Sequence, residues 1–144
     1  MLVRNCAGAL TFWEDKVFLV KNDKGEWTFP KTVISMNELP GDAALRALKE
    51  GAEIAAQIIS TAGHVNYEIS SKNNYQPIYN KVTWYVMLSK GQNFSINEEK
   101  GLIKGGYFSI EEAMSIITHN YHKSILNLLS KEITEADASE LVIA

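Results

Sequence analysis

Residues 38–54 read ELPGDAALRALKEGAEI, and this stretch decides the fold. Pro40 suits the first position of a helix, where its missing N–H is no loss. Residues 43–48 then supply good helix formers at a helical spacing. Gly51 weakens this pattern and marks its end. The stretch therefore predicts a helix from Pro40 to about Gly51, introduced by a loop.

Upstream of this helix, strand and turn signals alternate. Two apolar segments, 3–13 and 16–21, predict strands joined by a tight turn. Residues 22–25, NDKG, form a second turn, because Asn, Asp and Gly tolerate positive φ. A short strand over 26–29 completes two linked hairpins, and residues 31–39 are predicted to be irregular.

Downstream of the helix, the chain is strand-like again. The strand candidates are 57–59, 64–69, 81–88 and 103–108, separated by polar loops at 73–77 and 91–100. Ser109, with Glu112 three residues later, is a capping-box signal for a helix. That helix is predicted to end at residue 117, and another to span 120–129.

The order of elements predicts an α+β fold in which helices cover both sides of a mixed sheet. Residues 1–131 are predicted to form a single domain, and residues 132–144 a C-terminal tail or extension.

The composition excludes several classes of protein. The 144 residues carry 14 Lys and Arg against 17 Asp and Glu, a formal charge of −3, and 46% are hydrophobic. These values disfavour disorder, general nucleic-acid binding and membrane binding, whereas a small phosphorylated ligand stays possible. A single cysteine, Cys6, allows no internal disulfide and suits a reducing cytoplasm. Neither a signal peptide nor a bilayer-spanning run is expected.

Several local patterns occur together and in a fixed order. They are Glu38, Arg46, Leu48, Glu50 and Ile54 within the helical stretch, GEWTFPK at 25–31, and YFSIEEA at 107–113. In these patterns the chain resembles the Nudix hydrolases, whose box reads G, five residues, E, seven residues, then REUxEExGU, where U is aliphatic. The lead-in at 25–31 is similar to that of the diadenosine tetraphosphate and diphosphoinositol polyphosphate branches, and the chain as a whole most resembles the diadenosine tetraphosphate hydrolase branch. The resemblance implies a Nudix-type α/β/α sandwich with a mixed central β-sheet.

The box is degenerate. Thr32 stands where the family has its first Gly, and Ala47 and Gly51 stand at two of its carboxylates. Glu53 stands at the final Gly. Of the three box carboxylates that the family uses around its metal and water, Glu50 alone remains.

The resemblance implies cleavage of a phosphoanhydride bond with the help of Mg²⁺ or Mn²⁺. Mg²⁺ takes hard oxygen ligands, offsets phosphate charge and orients the attacking water. Glu50 is accordingly the candidate catalytic and metal-binding residue, the alternative being a solvated carboxylate on the helix surface. Glu53, and one of Glu98 and Glu99, are further candidate metal ligands.

Other residues are candidates for structure or ligand contact. Glu38 and Arg46 are predicted to pair, a role that in the family holds the loop against the helix. Lys31 is a candidate for phosphate contact, with an ordinary surface lysine as the alternative. The candidates for contact with a nucleotide base are Trp27, Tyr75 and Tyr79, although a tryptophan in a short strand is more often core.

Two functions from different classes fit these residues. One is Mg-dependent hydrolysis of a nucleoside diphosphate-linked or dinucleoside polyphosphate substrate, weakened by the degenerate box. The other is a catalytically inactive protein of the same fold that binds a nucleotide or has a regulatory role. Either a monomer or a homodimer is compatible with the sequence.

Overall fold

The computed structural model describes residues 2–69 and 77–143. Its strands are β1 Leu2–Trp13, β2 Lys16–Asn22, β3 Trp27–Thr28, β4 Lys31–Val33, β5 Ala56–Ile69, β6 Ile78–Ser89 and β7 Leu102–Ser109. Its α-helices are α1 Pro40–Ala52, α2 Ile110–Ile116 and α3 Asn120–Ile143, and a 3-10 turn, Glu98–Lys100, precedes β7. Across the described ranges, none of the helices is both long enough and apolar enough to cross a bilayer.

The sheet forks close to the turn between β1 and β2. β1 pairs in parallel with β6 from Leu2↔Ile78 to Phe12↔Leu88, and β5 lies antiparallel to β6 at the edge. On its other side β1 pairs with β2 next to the turn, at Phe12↔Val17 and Trp13↔Lys16. Beyond these positions β1 pairs with β4, whereas β2 pairs with β3 and β7. The two branches leave room for a cavity between them.

Two apolar layers cover the two faces of the sheet, because successive strand residues point to opposite sides. Cys6, Leu10 and Trp84 belong to the layer that packs against α2 and α3. Ala7 and Ala9 belong to the layer that packs against α1. The predicted α+β sandwich, with a mixed sheet between helices, is therefore confirmed.

Two strand predictions need correction. Residues 31–39 are not irregular throughout, since 31–33 form β4 and pair with β1. The candidates 57–59 and 64–69 are parts of a single strand, β5, whose register shifts twice along β6. A bulge adds one residue to a strand and breaks the period-two pattern, so the sequence suggests two pieces. The predicted loop at 73–77 lies almost wholly outside the described residues.

The helices match the prediction at their starts and differ at their ends. α1 extends one residue beyond Gly51, to Ala52. The Ser109 hydroxyl accepts a hydrogen bond from the Glu112 N–H at 3.1 Å, so Ser109 is the N-cap of α2. α3 starts at Asn120 as predicted but continues to residue 143, because the segment assigned to the tail is rich in helix formers. The domain boundary at residue 131 stays a prediction.

Candidate functional site

A cavity of about 290 Å³ opens in the fork of the sheet, beside the C-terminal half of α1. Strands β2, β3 and β4 form one wall, and α1 and the start of β7 form the other. The residues that set its chemistry are Lys31, Thr32, Ala47, Glu50, Gly51 and Lys100. The structure thus places Glu50 at a concave surface that also carries two lysines.

Arg46 ties the loop before α1 to the helix. Its Nε donates to Glu38 Oε2 at 2.9 Å, and its Nη2 donates to Glu38 Oε1 at 3.0 Å. Nη2 also donates to the Val33 carbonyl at 2.9 Å. Hydrogen bonds from Arg46 and from the Ser35 N–H lower the pKa of Glu38 to about 2. The structure therefore brings the two predicted partners together in a bidentate, charge-assisted pair that fixes the loop.

Glu50 has a cation beside each of its carboxylate oxygens. Arg46 Nη1 donates to Oε1 at 2.9 Å, and Lys100 Nζ lies 3.5 Å from Oε2. The hydrogen bond from Arg46 and the charge of Lys100 lower the pKa of Glu50, so the carboxylate is ionised at neutral pH. Its negative charge is consequently balanced by side chains of the protein itself.

Lys100 ends a 3-10 turn that is anchored at both sides. Asn97 Oδ1 accepts a hydrogen bond from the Glu99 N–H at 3.1 Å and caps the start of the turn. Gly101 ends the turn with a left-handed backbone, φ 76°, which glycine adopts without steric cost. The Gly101 carbonyl accepts from the Asp23 N–H at 3.0 Å. These bonds fix the backbone that carries the Lys100 side chain.

The segment before this turn caps the end of α1. The N–H groups of Ser95 and Asn97 donate at 2.9 Å to carbonyls of the last helical turn, which lack donors within the helix. Asn97 Nδ2 donates to the Glu50 carbonyl at 3.0 Å. Sequence reasoning missed Lys100 as a site residue. Asn97 and Gly101 signal a turn, but the sequence does not indicate that this turn docks on α1.

The model of the Nudix domain family matches residues 2–129 of this chain. The chain belongs to the Nudix family. The match begins in β1 and ends in α3, so it includes every strand of the forked sheet together with α1 and α2.

Solved Nudix structures share this fold. The C. elegans Ap4A hydrolase in a binary complex matches with a TM-score of 0.72 at 18% identity, over 92% of this chain and 98% of that one. The Nudix domain of Shewanella oneidensis NrtR, complexed with ADP-ribose, gives 0.76 at 15%, over 92% and 90%. The MutT Nudix hydrolase of Burkholderia pseudomallei gives 0.74 at 18%, over 88% and 98%. At these identities the likeness establishes the fold.

Three of the four positions at which the sequence differs from the expected box lie at the cavity. Thr32, Ala47 and Gly51 all line it, and none of the three carries a carboxylate. A Cβ atom at Gly51 would lie 3.2 Å from Leu102 Cδ1, tighter than ordinary van der Waals contact. Leu102 therefore fills the space next to Gly51 with an apolar side chain.

The remaining candidate acids lie along a second concavity of about 540 Å³ on the other side of Glu50. Glu98 and Glu99 are exposed in the 3-10 turn, and Glu53 is exposed just after α1. Glu53 adopts a left-handed backbone, φ 53°, at the helix C-cap. The structure thus gathers these acids around one shallow groove, with Lys49 among them.

The described residues do not fit the metal centre that family membership implies. Mg²⁺ demands near-octahedral coordination by oxygen, usually with carboxylate support. Over residues 2–69 and 77–143, no group of three His, Cys, Asp or Glu side chains is arranged to hold a metal ion. Glu50, the retained box carboxylate, is engaged by Arg46 and Lys100.

Of the predicted base-contact residues, the two that the structure describes, Trp27 and Tyr79, do not line the cavity. Trp27 packs edge-on against Phe108, with ring centroids 5.3 Å apart, and its backbone N–H donates to Thr118 Oγ1 at 2.9 Å. Tyr79 is half-buried in β6, opposite Val3 of β1. Tyr75 lies outside the described residues.

Lys31 lines the cavity at the start of β4, and its side chain is exposed. The backbone of Lys31 pairs with Gly8 of β1. Burial lowers the pKa of His122, an α3 residue, to about 3, and the charge of Lys31 contributes to that shift. Lys31 thus adds positive charge to the wall of the cavity.

Proposed function

We propose that this Nudix protein binds a phosphorylated, nucleotide-type small molecule in the cavity beside α1 and does not hydrolyse it efficiently. The observation that carries the proposal is the state of Glu50, whose two oxygens face Arg46 and Lys100. Two of the solved structures that share this fold support a nucleotide-type ligand, since one is an Ap4A hydrolase and the other is complexed with ADP-ribose.

The chemistry of phosphoanhydride cleavage supports binding over catalysis. Negative charge on the phosphates repels a nucleophile, and divalent ions offset that charge when carboxylates hold them in place. Ala47 and Gly51 supply no such carboxylate. Glu50 in its present pairing orients Arg46 and Lys100 and has no oxygen left without a cationic neighbour.

The acidic groove favours a second candidate function, weak Mg-dependent hydrolysis. Glu53, Glu98 and Glu99 border the groove that Glu50 shares. In this second function, Glu50 would give up its ion pair with Lys100, and Glu50 together with one of these acids would bind a metal ion. The substrate would be a dinucleoside polyphosphate or a nucleoside diphosphate-linked compound.

A turnover assay separates the two functions. Purified protein is incubated with Ap4A, ADP-ribose and nucleoside triphosphates, with Mg²⁺, with Mn²⁺ or with EDTA, and the products are separated by chromatography. The matched control is Glu50→Gln, which removes the retained box carboxylate without changing side-chain size. Intact ligand together with calorimetric binding supports the proposal, whereas metal-dependent turnover above the Glu50→Gln level contradicts it.

A gain-of-function variant tests the same idea from the other direction. Ala47→Glu combined with Gly51→Glu restores two carboxylates of the box. Because the new side chain at 51 would crowd Leu102, Leu102→Ala is added in a parallel variant. Hydrolysis that rises well above the wild-type level is the expected result. Equal activity in all variants would mean that the lost carboxylates do not limit catalysis.

A further inference from the structure

We propose that Lys100 is a tethered cation that binds the ligand's phosphate directly, so that nucleotide binding in this cavity needs no divalent metal. This inference rests on the proposed function and names the group that replaces the metal. It concerns a residue on the 3-10 turn, outside the Nudix box.

The position of Lys100 gives it access to both the cavity and Glu50. Its Nζ lies 3.5 Å from Glu50 Oε2, and 51% of its side chain is exposed. An ammonium group has three N–H donors. One donor can stay with Glu50 while the others reach phosphate oxygens in the cavity that Lys100 lines.

Hydrogen bonds at both ends fix the backbone of the turn that carries Lys100. Asn97 links the two elements, because its side chain accepts from the turn at Glu99 and donates to α1 at the Glu50 carbonyl. The Gly101 carbonyl anchors the other end to Asp23 on the β2–β3 connection. A preorganised cation loses less conformational entropy on binding an anion than a lysine on a mobile loop does.

The charge around the cavity suits an anion. Among the residues that line the cavity, Lys31 and Lys100 are cationic and Glu50 is the one acid. A site with three unpaired carboxylates would repel a phosphate until a metal ion bound. Here the balance is already positive, so a polyanion enters without one.

The effect of Glu50→Gln on ligand affinity has opposite signs in the two roles of Glu50, as the partner of Lys100 and as a metal ligand. If Glu50 held a metal for the ligand, Glu50→Gln would weaken binding. In the tethered-cation arrangement, Glu50→Gln removes the anion that competes for Lys100 and Arg46, so ligand affinity rises.

The experiment measures affinity by isothermal titration calorimetry, with ADP-ribose, ATP and pyrophosphate as probes, in EDTA and in Mg²⁺. Wild-type protein is expected to bind at least as tightly in EDTA as in Mg²⁺. Lys100→Gln is expected to weaken binding in EDTA about 10- to 100-fold, the size of a charge-assisted hydrogen bond. Lys104→Gln is the matched control, since Lys104 is exposed on β7 and does not line the cavity.

The outcomes are distinct. Tighter binding by Glu50→Gln in EDTA, together with recovery of affinity in Lys100→Arg, supports the tethered cation. Binding that requires Mg²⁺, or equal affinities for Lys100→Gln and Lys104→Gln, overturns this inference and leaves the proposed function standing. No binding of any probe under either condition overturns both. Thermal melting of each variant verifies folding, and the wild-type comparison with and without metal does not depend on any variant.

Discussion

At the scale of the residue, Glu53 holds a backbone conformation that suits glycine. Its φ of 53° and ψ of 36° are left-handed, and its N–H donates to the carbonyls of Leu48 and Lys49 to end α1. A residue with a Cβ atom is disfavoured in this region by about 1–2 kcal/mol. The left-handed backbone of Glu53 therefore leaves local strain at the helix end.

Glu53→Gly should therefore stabilise the protein. The left-handed cap becomes unstrained, and part of the gain is offset by the greater freedom of glycine in the unfolded chain. We expect the free energy of unfolding to rise by about 0.5–1 kcal/mol in urea denaturation. Glu53→Gln removes the same charge but keeps the Cβ atom, and it should change stability much less. Equal effects in both variants would assign the gain to charge instead of backbone strain.

At the scale of the element, β1 and β6 are held in register by a glycine beneath a tryptophan. Gly8 pairs with Trp84, and a Cβ at Gly8 would overlap Trp84 Cζ3. Trp84 is fully buried and packs edge-on against Phe29. The indole ring therefore lies directly over the backbone of β1.

Gly8→Ala should destabilise the protein by about 2–3 kcal/mol, the upper range for overpacking a core, because a buried indole has little room to move. Chemical denaturation checks this value, and near-ultraviolet circular dichroism reports on the displaced ring. Gly91→Ala is the matched control, since a Cβ there meets nothing within 4 Å. If Gly8→Ala destabilised the protein no more than Gly91→Ala, Trp84 would be able to shift without cost.

The elements also show which parts of the fold the sequence predicts. The helix α1 and the capping box at Ser109 depend on neighbouring residues, so local spacing predicts both. β4 has three residues, and its pairing with β1 depends on distant contacts that no local pattern contains. For the same reason, the sequence predicts Glu50 as a site residue but not Lys100. Local spacing places the carboxylate on the helix, whereas the lysine comes from another element that only distant contacts bring beside it.

At the scale of the whole molecule, His122 makes stability sensitive to acid. It is 1% exposed, and its two ring nitrogens have no hydrogen-bond partner among the described residues. Burial is the main cause that lowers its pKa from 6.5 to about 3 in the folded state. Below pH 6.5 the unfolded chain therefore binds a proton at this histidine, whereas the folded chain binds it only near pH 3. The free energy of unfolding consequently falls as the pH falls through this window.

We expect the wild-type free energy of unfolding to decrease by about 1.6 kcal/mol between pH 6.5 and pH 5, with a slope that approaches about 1.4 kcal/mol per pH unit toward pH 5. His122→Leu should remove most of that dependence, because an apolar side chain leaves no unpaired buried nitrogen. The exposed His64 gives the matched control, His64→Leu, in which the acid sensitivity should persist. Denaturation curves at several pH values provide the measurement. An unchanged slope in His122→Leu would contradict this account.

The parallel pairing of β1 with β6 also governs how the protein is made. β1 leaves the ribosome early, but its neighbour extends to Ser89 and emerges only after α1 and β5. Until then the nascent chain carries an apolar strand without its main partner, exposed to aggregation and to chaperones. Assembly of the sheet must wait for these long-range contacts, which are slow to form. A translational pause before residue 89 would therefore prolong the vulnerable state, and one after it would give the sheet time to close.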